Sequence, residues 1–420
     1  MGKDELKHLV IEEIRKRMPE FKKLLGDIIR IPTDNPPGDT TMAINFIAEH
    51  LKSKGLKIDI YEPKPKNPNI VSYIRGIRNG LNLVLNGHID QFPSGDEKHW
   101  SYNPYSGECK DGKILGRGVA DMKAGSAASL LCFELIHELD IPIRGQLTLT
   151  LVSDEETGGK WGAQWLLENV PFTKGDSLLN GEPSGLDTVR IGHKGSYWLK
   201  VKTSDPGGHG ALPGEENAIT KAMKIAQAIK KLQGWKIKTP EDLIDIIEVA
   251  RRNLEKKPYG KNRGWVFDST TVNVGLIRGG DKVNVIPRHC EMEIDIRIPN
   301  GITMEDLQLK VDDAIKETGV NPNDISMEWF NTKKPSYSLP NSRIAQLVKA
   351  NADSITGERS ALTISFGGSD CRFWEYLGIP IVMYGPTAFN MGAPDEYILE
   401  KDFEQVLKVH AATIIDYLCE

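Results

Sequence analysis

The chain carries its apolar residues in two textures. Residues 4–30 and 40–55 place them at helical intervals, and Pro32, Pro36-Pro37-Gly38 and Gly55 supply the stops. Short apolar runs follow at 56–61, 70–73 and 81–86, the last being Leu81-Asn82-Leu83-Val84-Leu85-Asn86. Beyond them the pattern predicts a helix over 124–139, a strand over 146–152, a helix over 161–169 and a strand over 177–179. Strand, helix, strand at this spacing predicts βαβ units and a largely parallel sheet.

The texture changes near Ile191. Ser196-Tyr197-Trp198-Leu199-Lys200-Val201-Lys202 alternates apolar and polar, as a half-exposed antiparallel strand does. A helix over 217–233, a charged helical segment over 241–263, alternating strands at 269–274 and 290–297, and a helix over 304–318 follow. That order is the order of a small α+β sandwich. From Ser342 the first texture returns, with helices at 344–352, 370–377 and 400–417 and strands at 361–365 and 379–384. The expected fold is α/β: a mixed, mostly parallel sheet flanked by helices in a discontinuous domain of residues 1–191 and 331–420. An α+β domain of residues 192–330 is inserted in it. Two domains also suit a length of 420 residues.

Composition excludes more than it identifies. A formal charge of −5, with acidic and basic residues interspersed, gives no electrostatic case for nucleic acid or an anionic membrane. No run approaches the roughly 20 apolar residues that a membrane helix needs. The charged start of the chain has no apolar secretory core. The five cysteines are scattered and odd in number, which argues against a disulfide framework and a thiolate metal site and points to a reducing, cytoplasmic setting.

The candidate chemistry sits just past the strand ends, where open α/β sheets bind their ligands. The 81–86 run leads into Gly87-His88-Ile89-Asp90, and the 146–152 run into Ser153-Asp154-Glu155-Glu156-Thr157-Gly158-Gly159. Histidine, aspartate and glutamate are the ligand set of a zinc-type ion. His88 would take a metal on one ring nitrogen while Asp90 holds the other; the plainer reading is a satisfied polar turn. Asp121, after Gly116-Arg117-Gly118-Val119-Ala120, caps the following helix, bridges two ions, or does both. Glu155 and Glu156 repel each other, so one of them calls for a cation while its neighbour accepts a proton from water. Solvated charges are the alternative. Glu182, in Asn180-Gly181-Glu182-Pro183, is a further ligand or a loop charge.

Taken in order, Asn86–Asp90, Gly116–Gly125, Ser153–Gly159 and Asn180–Pro183 resemble the M20 metallopeptidases. That family includes acetylornithine deacetylase, succinyl-diaminopimelate desuccinylase, aminoacylase-1 and glutamate carboxypeptidase. The resemblance covers nearly the whole chain and implies two zinc ions per chain, with cobalt or manganese as substitutes. By similarity, His88 and Glu182 would hold one ion, Glu156 the other, and Asp121 would bridge them. Glu155 would be the general base and Asp90 the orienter of His88. The inserted domain would be a lid that also makes a homodimer, and His209 in Gly207-Gly208-His209-Gly210-Ala211 would reach a partner's site to steady an oxyanion. Asn284, in Lys282–Pro287, and Arg297, in Asp295-Ile296-Arg297, match the substrate-facing pattern. Arg297 would clamp a carboxylate or pair with Asp295 or Glu293. Gly367-Gly368-Ser369-Asp370 resembles the family's pocket-lining loop. The implied reaction is hydrolysis of the amide bond of an N-acyl amino acid or small dipeptide. The alternative is a non-catalytic or one-metal homologue that binds an amino-acid-like ligand.

One departure bears on the second ion. The family usually places a histidine four residues before a glutamate near the end of the chain, and here that position, before Glu396, is Gly392. The nearest histidines in sequence are His289 and His410. Asn390 can offer a carbonyl oxygen, a poorer zinc ligand than imidazole, and Asp395 is a further donor. The expectation is one intact metal position and one weakened position at Glu156.

Overall fold

The computed structural model describes residues 1–256 and 260–419. Residues 257–259, within the charged segment expected to be helical over 241–263, lie outside the described residues; Ile244–Glu255 of that segment is a helix. The chain divides into two compact units. One comprises residues 1–192, 337–363 and 369–420, the other residues 193–336 and 364–368. The division expected from sequence, 192–330, omits residues 331–336 and 364–368. Strand Ile325–Lys333 is an edge strand of the small sheet, so the small unit cannot close before it ends.

The larger unit is built on a nine-stranded sheet. Its order is Ile58–Tyr61, Asn69–Arg75, Gln146–Val152, Asn82–His88, Ser177–Asn180, Ile381–Met383, Thr188–His193, Ser336–Tyr337, with Ala361–Ser365 also paired to Thr188–His193. The four central strands, from Gln146–Val152 to Ile381–Met383, run parallel. The strands beyond them on either side begin with antiparallel pairings. Central strands buried on both faces are largely apolar, and Gln146–Val152 is buried from Leu147 onward, with Thr148 and Thr150 its buried polar residues. In register, Leu85 lies between Leu149 and Leu179, and His88 is level with Val152 at the strand ends.

Helix Ala124–Glu138 is buried along nearly its whole length, which explains its Ala, Ser and Leu content. Its one deeply buried charge, Glu134, is met by Arg17, Lys54 and His50 at 3.0, 2.9 and 2.6 Å. Lys3–Ile29 is a single helix that includes Pro19, burying Leu6, Val10, Ile14, Phe21, Leu25 and Ile28 on one face. Glycines let the elements around the strand ends approach closely. A Cβ on Gly125, in the first turn of Ala124–Glu138, would run into the backbone of Gly181 just past Ser177–Asn180. Gly125→Ala is therefore expected to lower stability by about 1–3 kcal/mol through overpacking. Denaturant titration checks this, and an unchanged midpoint would contradict it.

The smaller unit carries a four-stranded antiparallel sheet in the order Thr271–Gly279, His289–Ile298, Gly195–Ser204, Ile325–Lys333. Along His289–Ile298 burial alternates residue by residue, as one covered face demands. The covering helices are Ala218–Lys230 and Met304–Lys316, whose Ala222, Ile225, Leu307 and Val311 meet Leu199, Val201, Ile294 and Ile296. No helix among the described residues is long and apolar enough to cross a membrane.

Candidate metal centre

Three strand ends and one turn build the site in the larger unit. His88 closes Asn82–His88, and its Nε2 lies 3.1 Å from Asp121 Oδ1 and 3.6 Å from Glu182 Oε1. One ligand atom from each of the three lies within 4.8 Å of the others, the span that one ion would bridge. Asp121 is not spent on a helix cap. The helix after it starts at Ala124 behind Lys123 and has no side-chain cap. Glu182 is aimed by a polar row beneath it. Asn86 donates to Thr150 Oγ1 at 3.0 Å, Asn180 donates to Asn86 Oδ1 at 3.0 Å, and Asn180 Oδ1 accepts the Glu182 amide at 2.8 Å.

The ring of His88 is fixed from behind. Its Nδ1 lies 2.9 Å from the Asp90 main-chain oxygen and 3.4 Å from the Asp90 carboxylate. An N–H on Nδ1 donating there leaves the Nε2 lone pair for a metal. The Asp90 carboxylate also does something the sequence did not disclose. It accepts the main-chain N–H groups of Glu155 and Glu156 at 3.2 and 3.1 Å, and the Asn35 amide at 2.8 Å. Asp90 therefore ties the Glu155-Glu156 turn to the histidine.

Charge in the site is unbalanced. Burial, and then the charge of Asp121, pushes both Glu156 and Glu182 well above the usual carboxylate range. Burial disfavours a charged His88, but its bonds to Asp121, Asp90 and Glu182 outweigh that and raise it. Glu156 Oε1 is buried without a hydrogen-bond partner, which is costly unless a cation meets it. A self-repelling carboxylate cluster with an orphaned oxygen fits a divalent ion. The donor set of one imidazole and three carboxylates suits zinc, manganese or cobalt.

The expected second-ion donors are elsewhere engaged. Asn390 is exposed, and its amide donates to the Asp395 main-chain oxygen at 3.0 Å. Asp395 accepts the Ser101 amide at 2.7 Å. Gly392 has φ +73°, a conformation that disfavours any side chain there. His410 is buried on Glu400–Leu418 with Nε2 on the Tyr384 oxygen at 2.7 Å, and burial lowers its pKa to about 4. Glu396 is committed to Arg117 at 2.5 Å and to the Ala120 amide at 2.9 Å.

The remaining predicted residues lie mostly in the smaller unit. His209 pairs with Val285 in a short two-stranded sheet, and the adjacent Asn284 main-chain oxygen accepts the Gly210 amide at 3.0 Å. The His209 ring is exposed, with Nδ1 accepting the Ala211 amide at 3.2 Å. Arg297 is bonded through Nε to both Asp295 oxygens at 2.8 and 3.0 Å, so the pairing anticipated as an alternative is present. Arg297 and Gly367 line a cavity of about 470 Å³ with Lys194, Arg263 and Phe366. Gly368 closes the 364–368 segment. Ser369 is buried in the larger unit, where its Oγ accepts the Cys371 amide at 3.2 Å.

Sequence reasoning passed over Asn35, Asn86, Asn180, Asp370 and Arg372. The Asn-Gly pairs at 86–87 and 180–181, each at the same place in neighbouring strands, were a readable signal for two of them. Asp370 has both carboxylate oxygens buried without partners, and burial, then the charge of Glu155, holds its carboxyl well above the usual range.

Parallel strand ends that deliver an imidazole and several carboxylates to one point, with a further glutamate beside them, define a metal-dependent hydrolase. The chain belongs to peptidase family M20/M25/M40, whose sequence profile matches residues 84–416. It is 27% identical to a metallohydrolase of Methanocaldococcus jannaschii over 93% of this chain and 97% of that one. It is 26% identical to the succinyl-diaminopimelate desuccinylase of Methylorubrum extorquens over the same shares. An M20 family metallo-carboxypeptidase from Sulfolobus solfataricus has the same fold, with a TM-score of 0.81 at 18% identity over 95% of this chain and 99% of that one.

Proposed function

We propose that this metallohydrolase cleaves the amide bond of an N-acyl amino acid or small dipeptide, with Glu155 as general base. The observation that carries the proposal is the tether through Asp90, which holds Glu155 beside the His88, Asp121 and Glu182 trio. His88 and Glu182 would hold one ion, Glu156 the other, and Asp121 would be shared. Such ions, zinc first, polarise a carbonyl and acidify water when bound. Glu155 takes the proton from the attacking water and returns it to the nitrogen as the C–N bond breaks, so the products are a carboxylate and an amine. His209 accepts a hydrogen bond at Nδ1, so in the neutral ring Nε2 carries the proton and can donate to an oxyanion. That donor would come from the second copy of a homodimer. Asn284 and the Gly367-Gly368-Ser369 loop are assigned to substrate. Arg297, in a cavity that also holds Lys194 and Arg263, is the group for a free substrate carboxylate. Five free cysteines support a cytoplasmic setting.

The test is amine release from a panel of N-acetyl and N-succinyl amino acids and dipeptides. The protein is first stripped with chelator, then reloaded with zinc, cobalt or manganese. Hydrolysis of at least one compound, only with metal, is expected. The second reading, a one-metal or non-catalytic homologue, draws on the bare Gly392 and the engaged Asn390. It would be favoured if panel members bind and none is cleaved.

A further inference from the structure

We infer that Arg372 is a positioning residue for Glu155, fixing the carboxylate that moves the proton. The inference rests on the hydrolase reading above and adds a residue which that reading does not use.

Arg372 sits in the short helix Cys371–Glu375, just past the Gly-rich loop, and its side chain is 3% exposed. Three groups take its N–H donors. One terminal nitrogen bonds the Ser369 main-chain oxygen, at the foot of its own helix. The other bonds the Gly158 main-chain oxygen at 2.9 Å, in the turn that carries Glu155 and Glu156. The first nitrogen also meets Glu155 Oε1 at 3.4 Å, the one polar contact of the Glu155 side chain among the described residues. The guanidinium lies over the Phe373 ring, 4.5 Å from its centre, which limits its rotation.

A planar fork anchored by two carbonyls is held before it meets the carboxylate, so little freedom is lost in orienting Glu155. Only Oε1 is engaged, which leaves Oε2 to accept a proton. Asp90 fixes the Glu155 main chain and Arg372 fixes its side chain, from opposite ends of the same residue. A lysine could supply the charge but not the fork.

The test uses the full-length, metal-loaded enzyme and the panel compound it cleaves fastest. Arg372→Gln, Arg372→Lys and Arg372→Ala are compared with Glu155→Gln for kcat, KM, metal per chain and melting temperature. Arg372→Gln is expected to lose about 10–100-fold in kcat, the cost typical of removing an orienting partner, with KM and metal content unchanged. Arg372→Lys should fall between it and the parent. Added guanidinium should restore part of the Arg372→Ala rate, and Arg372→Gln should cost nothing further in the Glu155→Gln background. An undiminished kcat in Arg372→Gln would overturn the inference. So would a lost rate that tracks lost metal or lost folding and that guanidinium does not recover. If Glu155→Gln is inert while Arg372→Gln is unimpaired, this inference alone fails; if Glu155→Gln turns over normally, the hydrolase reading itself fails.

Discussion

Glu155→Gln is expected to reduce kcat by roughly 10²–10⁴-fold, the range that general acid–base catalysis contributes, while metal content stays at the level of the parent. The reason lies in how the turn is held. Glu155 and Glu156 are adjacent in sequence, but their side chains are in different situations. Glu156 is half-buried with one buried, orphaned oxygen and is pushed toward its neutral form by burial and by Asp121. Glu155 meets a guanidinium instead. On the proposed reading one carboxylate satisfies a cation and the other exchanges a proton. Glutamine keeps the shape of Glu155 and its main-chain bond to Asp90 and removes the carboxylate's charge and basicity. Elemental analysis beside the rate measurement separates the two roles. A variant that keeps its turnover removes Glu155 from the chemistry; one that loses metal along with turnover makes it a ligand.

How much of this was legible before the structure depends on the kind of contact. His88, Asp121 and Glu182 were readable because each follows a strand or turn signal, and a parallel sheet brings strand ends to one edge whatever the loops do. The two-unit plan was readable from the switch between runs buried on both faces and runs buried on one. Its return boundary was not. The edge strand Ile325–Lys333 alternates apolar and polar over Ile325-Ser326-Met327-Glu328-Trp329, but Phe330 breaks the alternation and Asn331-Thr332-Lys333 are all polar, so the end of the strand carries no period-two signal. Asp90 was expected to hold His88 through its carboxylate, yet the shorter contact comes from its main chain, and the carboxylate goes mainly to two backbone amides. Backbone partners leave no trace in sequence, because any residue supplies an N–H. Arg372 lies 217 positions from Glu155, and nothing local marks it as a neighbour.

The weakness of the second metal position is the other large expected effect. Titrating zinc into chelator-stripped protein should resolve two affinities separated by at least about 10–100-fold, since losing even an orienting partner costs that much. After dialysis, elemental analysis should then return close to one ion per chain. The first position has His88, Glu182 and Asp121 converging with the ring already oriented. The second, as proposed, would have Glu156 and a share of Asp121. The place of the usual imidazole is a glycine at φ +73°, whose added Cβ would meet nothing nearer than Phe92 at 3.8 Å. Space is present there and a donor is not. Asn390 would have to break its bond to the Asp395 oxygen to contribute, and His410 its bond to Tyr384 in a buried, neutral setting. Glu156→Ala should therefore remove only the weaker ion, and His88→Ala the tighter one. Two ions per chain surviving dialysis would show that a donor does move in. Repeating the measurement with Asn390→Ala would then say whether it is the asparagine, because the second ion would be lost with its carbonyl oxygen.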